Sequence, residues 1–268
     1  MPIEQKLAQL EKKIASLGTL AVAFSGGVDS TFLLAVAVKV LGDRVMAVTA
    51  LSSSYTDREA RQSVELANLL MARHMSLPLE QLEIPGFADN PKDRCYLCKK
   101  QLFKKIIDLA GQNGIKFVAD GSNADDLVDY RPGLKALKEL GVISPLIEAG
   151  LRKNEIRALS RQMDLPTWDK PAAACLFSRF AYGENLTREK LDRVDTAEQY
   201  LLNLGFKQVR VRMHGELARI EVSPDERHKL LEGNRMDEVS LCLKNLGFQY
   251  VTLDLQGYRT GSMNEALE

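Results

Sequence analysis

The stretch Ser25-Gly26-Gly27-Val28-Asp29-Ser30 lies between the apolar run Leu20-Ala21-Val22-Ala23-Phe24 and the helix-forming run Phe32–Val38. A strand, a glycine turn and a helix N-terminus together make an anion site. Glycine lets the backbone approach closely, and uncapped N–H groups and the helix dipole face negative charge. Asp29 or Ser30 is the expected helix cap. The loop carries no lysine and matches neither GxxxxGK[ST] nor GxGxxG. A second chemistry is available in four cysteines. Cys95 and Cys98 form a C-x2-C pair just ahead of an expected helix, Cys175 follows about eighty residues on, and Cys242 shares a helix face with Val239, Leu243 and Leu246 as an expected core thiol. A structural zinc site wants four ligands, and neither His74 nor His214 lies at a typical spacing. Three thiolates can instead hold a [4Fe–4S] cluster with one open iron. Farther on, Arg210 and Arg212 alternate with Val209, Val211 and Met213, so both share one face of a strand, which is either a solvated face or an anion site.

The elements that must position these groups follow from periodicity. Residues 4–16 put Leu7, Leu10 and Ile14 on one helix face. Strands are expected at 20–24, 44–51, 74–84 and 116–123, alternating with helices that follow the glycine loop and at 57–72 and 99–111. That alternation argues for an α/β fold, a parallel sheet with helices on both faces, whose ligands sit at the carboxyl ends of the strands. Ser25-Gly26-Gly27 and Asp120-Gly121-Ser122 both fall at such ends, so one nucleotide can touch both. Beyond about residue 170 the texture changes to a smaller α+β pattern. A long helix near 187–204, two strands around His214-Gly215, helices near 224–233 and 235–246 and a last strand "QYVTLDL" are expected. The division is 1–168 for the nucleotide domain, 169–186 for a linker carrying Cys175, and 187–268 for a substrate-binding and oligomerisation domain.

Composition bounds the partners. The 268 residues carry 36 basic and 36 acidic side chains, 45% are hydrophobic, and the pI is near 6.9. Zero net charge gives no general attraction to nucleic acid or anionic membranes. No apolar run approaches the ~18 residues of a spanning helix. The N-terminus lacks the basic-then-apolar order of a signal peptide, and cysteines without a disulfide framework suit a reducing compartment. A cytoplasmic protein is expected.

As a whole, "SGGVDS" in its strand–turn–helix setting resembles the PP-loop of ATP pyrophosphatases. Those enzymes cleave ATP between the α- and β-phosphates, adenylate an oxygen of the acceptor and release pyrophosphate. The resemblance implies that Ser25, Gly26, Gly27, Val28, Asp29 and Ser30 cradle a leaving pyrophosphate, for which a lysine is dispensable. Asp29 among phosphates then implies Mg²⁺ as a bridge. "DGSNADDLVDYRPG", 120–133, is both a good capping turn and a candidate opposite wall, with Gly121 at the nucleotide, Asp126 at a metal and Arg131 as an anion clamp. Together with "CYLCKK", "LRKNEIRALSRQMDLPTWDKPAAACLFSR" and "VRVRMHGELARIEV", it resembles the LarE sulfur transferases from the loop to about residue 225.

That resemblance implies adenylation of the carboxylates of pyridinium-3,5-biscarboxylic acid mononucleotide and their conversion to thiocarboxylates, in the making of the nickel-pincer nucleotide of lactate racemase. It implies ATP, Mg²⁺ and, for a chain with Cys95 and Cys98 beside Cys175, a [4Fe–4S] cluster. In members with a lone cysteine, the residue matching Cys175 gives up its own sulfur and becomes dehydroalanine. Asp29 and Cys175 are the implied catalytic residues. Arg210 and Arg212 are the implied nucleotide-phosphate site, with Arg179, Glu198 and Glu221 as further substrate candidates. A homo-hexamer is implied as well. Two other readings share the loop. A tRNA thiolase would need a basic surface that the charge balance does not give, and an amide-forming synthetase would need a glutaminase-like segment, which is not seen.

Overall fold

The computed structural model describes residues 1–52, 57–127, 132–171 and 175–259. They fall into two compact units, residues 1–84 with 93–173, and residues 85–92 with 174–259.

In the first unit, α1 (Ile3–Leu17) leads into β1 (Leu20–Ala23), α2 (Val28–Leu41), β2 (Val45–Ser52), α3 (Asp57–Leu69) and β3 (Arg73–Leu79). Then come α4 (Arg94–Gln112), β4 (Phe117–Ala119), α5 (Pro132–Glu139), α6 (Pro145–Glu148) and α7 (Lys153–Gln162). The strands pair in parallel in the order β3-β2-β1-β4. Alternate residues of β1 explain the layers. Leu20 and Val22 face a core built with Leu10 and Ile14 of α1, Phe32, Leu33 and Val36 of α2, and Ile156 and Leu159 of α7. Ala21 faces the opposite core, with Phe103 and Ile106 of α4 and Leu137 of α5. Helices therefore cover both faces, as the near-continuous apolar strands require. Helix α2 is apolar on most sides because it is packed between α1, α7 and the sheet. Burying a side chain such as Phe32 contributes roughly 1.5–3 kcal/mol.

The strand order determines where a ligand goes. The chain steps outward from β1 to β2 and β3, then returns to place β4 on the other side of β1. That reversal is a topological switch point, where open parallel sheets leave a crevice at their carboxyl ends. The Ser25–Ser30 loop leaves β1 there, and the 120–123 turn leaves β4 there.

In the second unit, α8 (Arg188–Asn203) precedes an antiparallel pair, β5 (Val209–His214) and β6 (Leu217–Val222), and β7 (Tyr250–Leu253) joins β6 in parallel after α9 (Arg235–Asn245). Residues 85–92 belong here: Phe87 meets Phe177 edge to face at 4.8 Å, and Asn90 donates to the Ala181 carbonyl at 2.6 Å.

Several local expectations are corrected. Helix α4 begins at Arg94 rather than 99, because the Asp93 carbonyl already accepts from the Tyr96 and Leu97 amides. The 74–84 strand stops at Leu79 and turns into a short 3-10 helix, Gln81–Glu83. Residues Pro224–Leu231 are 3-10 rather than α-helical. Cys242 is half-buried, since Val239 and Leu243 take the core positions of α9; burial still pushes its thiol pKa up. Among the described residues, no helix is long and apolar enough to cross a membrane.

Candidate functional site

The loop is built by its glycines. Gly26 sits at φ +65°, in the left-handed region that side chains rarely adopt. Gly27 is extended and is the N-cap of α2, in place of the expected Asp29 or Ser30, which lie inside the first turn. The Thr31 amide donates to the Gly27 carbonyl at 3.0 Å, so the helix begins two residues too early for Asp29 and three too early for Ser30 to cap it. Gly27 has no side chain with which to cap this N-terminus, and the first amides of a helix are a favourable place for an anion. Ser30 braces the loop: its Oγ lies 3.3 Å from the Gly27 carbonyl, to which it donates, and accepts from the Ser25 amide at 3.3 Å.

The turn after β4 packs directly on this helix end. A Cβ on Gly121 would stand 3.1 Å from the Ser30 nitrogen and 3.2 Å from its Cα, so glycine permits an approach that any side chain would force apart. Asp120 is buried and held by three donors: the hydroxyls of Ser122 and Ser144, the latter at 2.6 Å, and the Lys99 ammonium at 3.4 Å. Asp126 accepts from the Asn123 amide at 3.0 Å, and Asn123 accepts from the Asp125 amide at 2.9 Å, so the capping role expected of this segment is seen. Arg131 lies outside the described residues.

Two lysines that sequence reasoning missed reach the loop. Lys153, at the start of α7, pairs with Asp29 Oδ2 at 2.5 Å. Lys170 donates to the Gly26 carbonyl at 3.0 Å and to Gln62 Oε1 at 3.3 Å. Both sit in the "LRKNEIR" and "TWDKP" segments, but neither has a spacing that ties it to the loop. The other oxygen of Asp29, Oδ1, is buried with no hydrogen-bond partner among the described residues. An acceptor oxygen left that way next to uncapped amides suits a hydrated Mg²⁺ carrying phosphates.

Cys95 and Cys98 stand at the start of α4, three residues apart and hence on one face. Cys95 is exposed, and Cys98 is half-buried with the buried Gln81 amide donating to its sulfur at 3.9 Å. In the second unit Cys175 is exposed and opens the 3-10 turn Leu176–Arg179. Among the described residues, neither unit by itself gathers three His, Cys, Asp or Glu side chains into a metal site. As a donor set, three thiols without oxygen or imidazole ligands fit an iron–sulfur cluster.

Around Cys175 the second unit buries a set of guanidiniums. Arg179 holds the Cys175 carbonyl at 3.1 Å and forks onto Glu198 through two 2.9 Å bonds. Glu198 Oε1 also accepts from the Val211 amide. Arg212 donates to Glu221 and to the Ser178 carbonyl, each at 2.9 Å. Arg219, opposite Arg212 in the register, also reaches Glu221 at 3.1 Å and Asp254 at 3.5 Å. Arg210 lies over the Tyr258 ring at 5.2 Å; burial, and then the Arg179 charge, pulls its pKa below the usual guanidinium range. Arg210 and Arg212 are thus no solvated face: only 9% and 5% of their surface is exposed. Arg259 also reaches Asp254, at 3.4 Å. Buried guanidiniums gathered in this way suit an anion. Arg219, Asp254, Ser178 and Tyr258 were not legible beforehand, because nothing in their spacing marks them.

No family model matches the chain. It is 43% identical over 263 residues to the pyridinium-3,5-bisthiocarboxylic acid mononucleotide synthase of Lactiplantibacillus plantarum, covering 98% of this chain and 95% of that one. It is also 43% identical over 265 residues to an uncharacterised Synechocystis protein, covering 99% of both. A more distant likeness, 28% identity over 248 residues, covers 82% of this chain and 66% of a glutamine-hydrolysing GMP synthase component from Saccharolobus solfataricus.

Proposed function

The chain belongs to the family of pyridinium-3,5-bisthiocarboxylic acid mononucleotide synthases, the LarE sulfurtransferases, and from that membership we propose that it makes the thiocarboxylates of the nickel-pincer nucleotide from the matching pyridinium dicarboxylate mononucleotide, ATP and sulfide. In the first half-reaction a substrate carboxylate oxygen attacks the α-phosphorus of ATP. The bond to the bridging oxygen of the β-phosphate breaks, and pyrophosphate leaves. In the second, a hydrosulfide sulfur attacks the acyl carbon, AMP departs, one proton is released, and a thiocarboxylate remains. Repeating both at the second carboxylate completes the product.

The placement of this chain's residues within each unit supports the following roles. The Ser25–Ser30 loop and the uncapped start of α2 receive the leaving phosphates, whose charge they stabilise as it develops. Asp29 would hold a Mg²⁺ ion through Oδ1, while Lys153 neutralises Oδ2. Gly121 allows the second wall to close on the loop. Arg210 and Arg212 hold the nucleotide phosphate of the substrate next to the chain segment that carries Cys175, with Glu198 and Glu221 fixing Arg179 and Arg212 in rotamer. Cys95, Cys98 and Cys175 would hold a [4Fe–4S] cluster, whose open iron supplies a hydrosulfide and so spares the protein's own sulfur. The division into nucleotide, linker and substrate segments, the hexamer and a cytoplasmic setting complete this reading.

The observation that carries the proposal is the SGGVDS loop seated at the sheet's switch point against Gly121. It is tested by following ATP by ³¹P NMR in the presence of the dicarboxylate mononucleotide. AMP and pyrophosphate formed in step with thiocarboxylate are expected; ADP and phosphate would overturn it.

A further inference from the structure

The loop itself contains no lysine, yet one is delivered to it from 144 positions away. Lys170 is set in place by its own turn, its amide donating to the Thr167 carbonyl at 3.0 Å. Arg157 of α7 reaches across to the same turn, donating to the Trp168 carbonyl at 2.7 Å and the Lys170 carbonyl at 2.8 Å. The Lys170 backbone is thereby fixed while its ammonium grips the Gly26 carbonyl. In a planar trans peptide the carbonyl and the following N–H point in opposite directions, and the chain has no cis bonds among its described residues. Fixing the Gly26 oxygen toward Lys170 therefore turns the Gly27 N–H away from it. Gly26, at φ +65°, has the conformational freedom to let that plane rotate if it is not held.

We propose that Lys170 is the positioning residue of the phosphate loop: by clamping the Gly26 carbonyl it aims the Gly27 N–H at the bound pyrophosphate. Phosphate binding and the order of the 165–170 turn are then linked, each favouring the other. This rests on the reading of the loop as a pyrophosphate site. The chain's single tryptophan, Trp168, lies in this turn under the Arg161 guanidinium at 4.9 Å, so its emission reports the turn's state.

The test is titration of the full chain with Mg²⁺ and inorganic pyrophosphate, by calorimetry and by Trp168 emission. The wild type is expected to bind with a saturable emission change. Lys170→Met is expected to bind at least tenfold more weakly and to lose that change, with Lys170→Arg recovering most of both. Should Lys170→Met not fold, Arg157→Met, which frees the turn without touching the ammonium, is expected to weaken binding in the same direction. Wild-type affinity in Lys170→Met, or in Arg157→Met when it is the variant used, would overturn the inference while leaving the loop's role standing. A wild type that binds no pyrophosphate would overturn both.

Discussion

Replacing Gly121 by alanine places a methyl group 3.1 Å from the Ser30 nitrogen, 3.2 Å from its Cα and 3.4 Å from its Cβ. These contacts are tighter than almost all real Cβ contacts, so turn and loop must part by a few tenths of an ångström. The Ser30 side cannot yield, because it is the backbone of a helix anchored by Phe32, Leu33 and Leu34, all fully buried. Nor does the other side yield freely: Asp120 is held by Ser122, Ser144 and Lys99, and its amide donates to the Ile143 carbonyl at 3.0 Å. Overpacking of this kind costs about 1–3 kcal/mol. A displacement of ~1 Å at a reacting site can cost about a hundredfold in rate, so AMP formation is expected to fall by roughly ten- to a hundredfold. Gly111 of α4 provides the control, since a Cβ there meets nothing within 4 Å. The same change at that site is expected to stabilise the protein by about 0.5–1 kcal/mol, by removing backbone freedom from the unfolded chain. Urea unfolding of both variants, with a pyrophosphate-release assay, reads the contrast. A Gly121→Ala protein with unchanged unfolding midpoint and ATP kinetics would refute the close-packing argument.

Arg212→Met should weaken mononucleotide binding by roughly ten- to a hundredfold and, by taking a guanidinium partner from the buried Glu221, destabilise the fold by about 3 kcal/mol; calorimetric titration with normal affinity would remove it from the substrate site. After anaerobic incubation with ATP, substrate and sulfide, mass spectrometry should find Cys175 intact through repeated turnovers, with Cys242→Ser changing neither iron content nor rate; stoichiometric dehydroalanine at 175 would establish the sacrificial route instead. Burial lowers the pKa of His74, so its neutral form favours folding; that contribution is full above the unfolded value of about 6.5 and is lost as pH falls through the lower folded one. Unfolding free energy should therefore drop as pH falls below about 6.5, less steeply in His74→Asn, and an identical slope in the variant would discount His74.

The sequence alone determined the alternation of apolar strands and helices, and with it the parallel sheet, because period and run length are local properties of the chain. It also determined the phosphate loop, since a glycine with positive φ followed by a helix start is written in six consecutive residues. The paired arginines were equally plain as a motif. Tertiary structure alone decided which charges meet. Lys153 and Lys170 reach the loop from positions 124 and 144 residues away, and such contacts have no local spacing to betray them. Register across β5 and β6, rather than any motif, sets Arg219 opposite Arg212 and Glu221 opposite Arg210. That pairing turned what alternation alone would allow as a solvated face into a buried cluster of charge. The helix cap lies at Gly27 rather than at Asp29 or Ser30 for a related reason. Cap preference is a side-chain tendency worth about 1 kcal/mol, and here the carboxylate of Asp29 is engaged by Lys153 from another helix, an interaction that only the folded chain can supply.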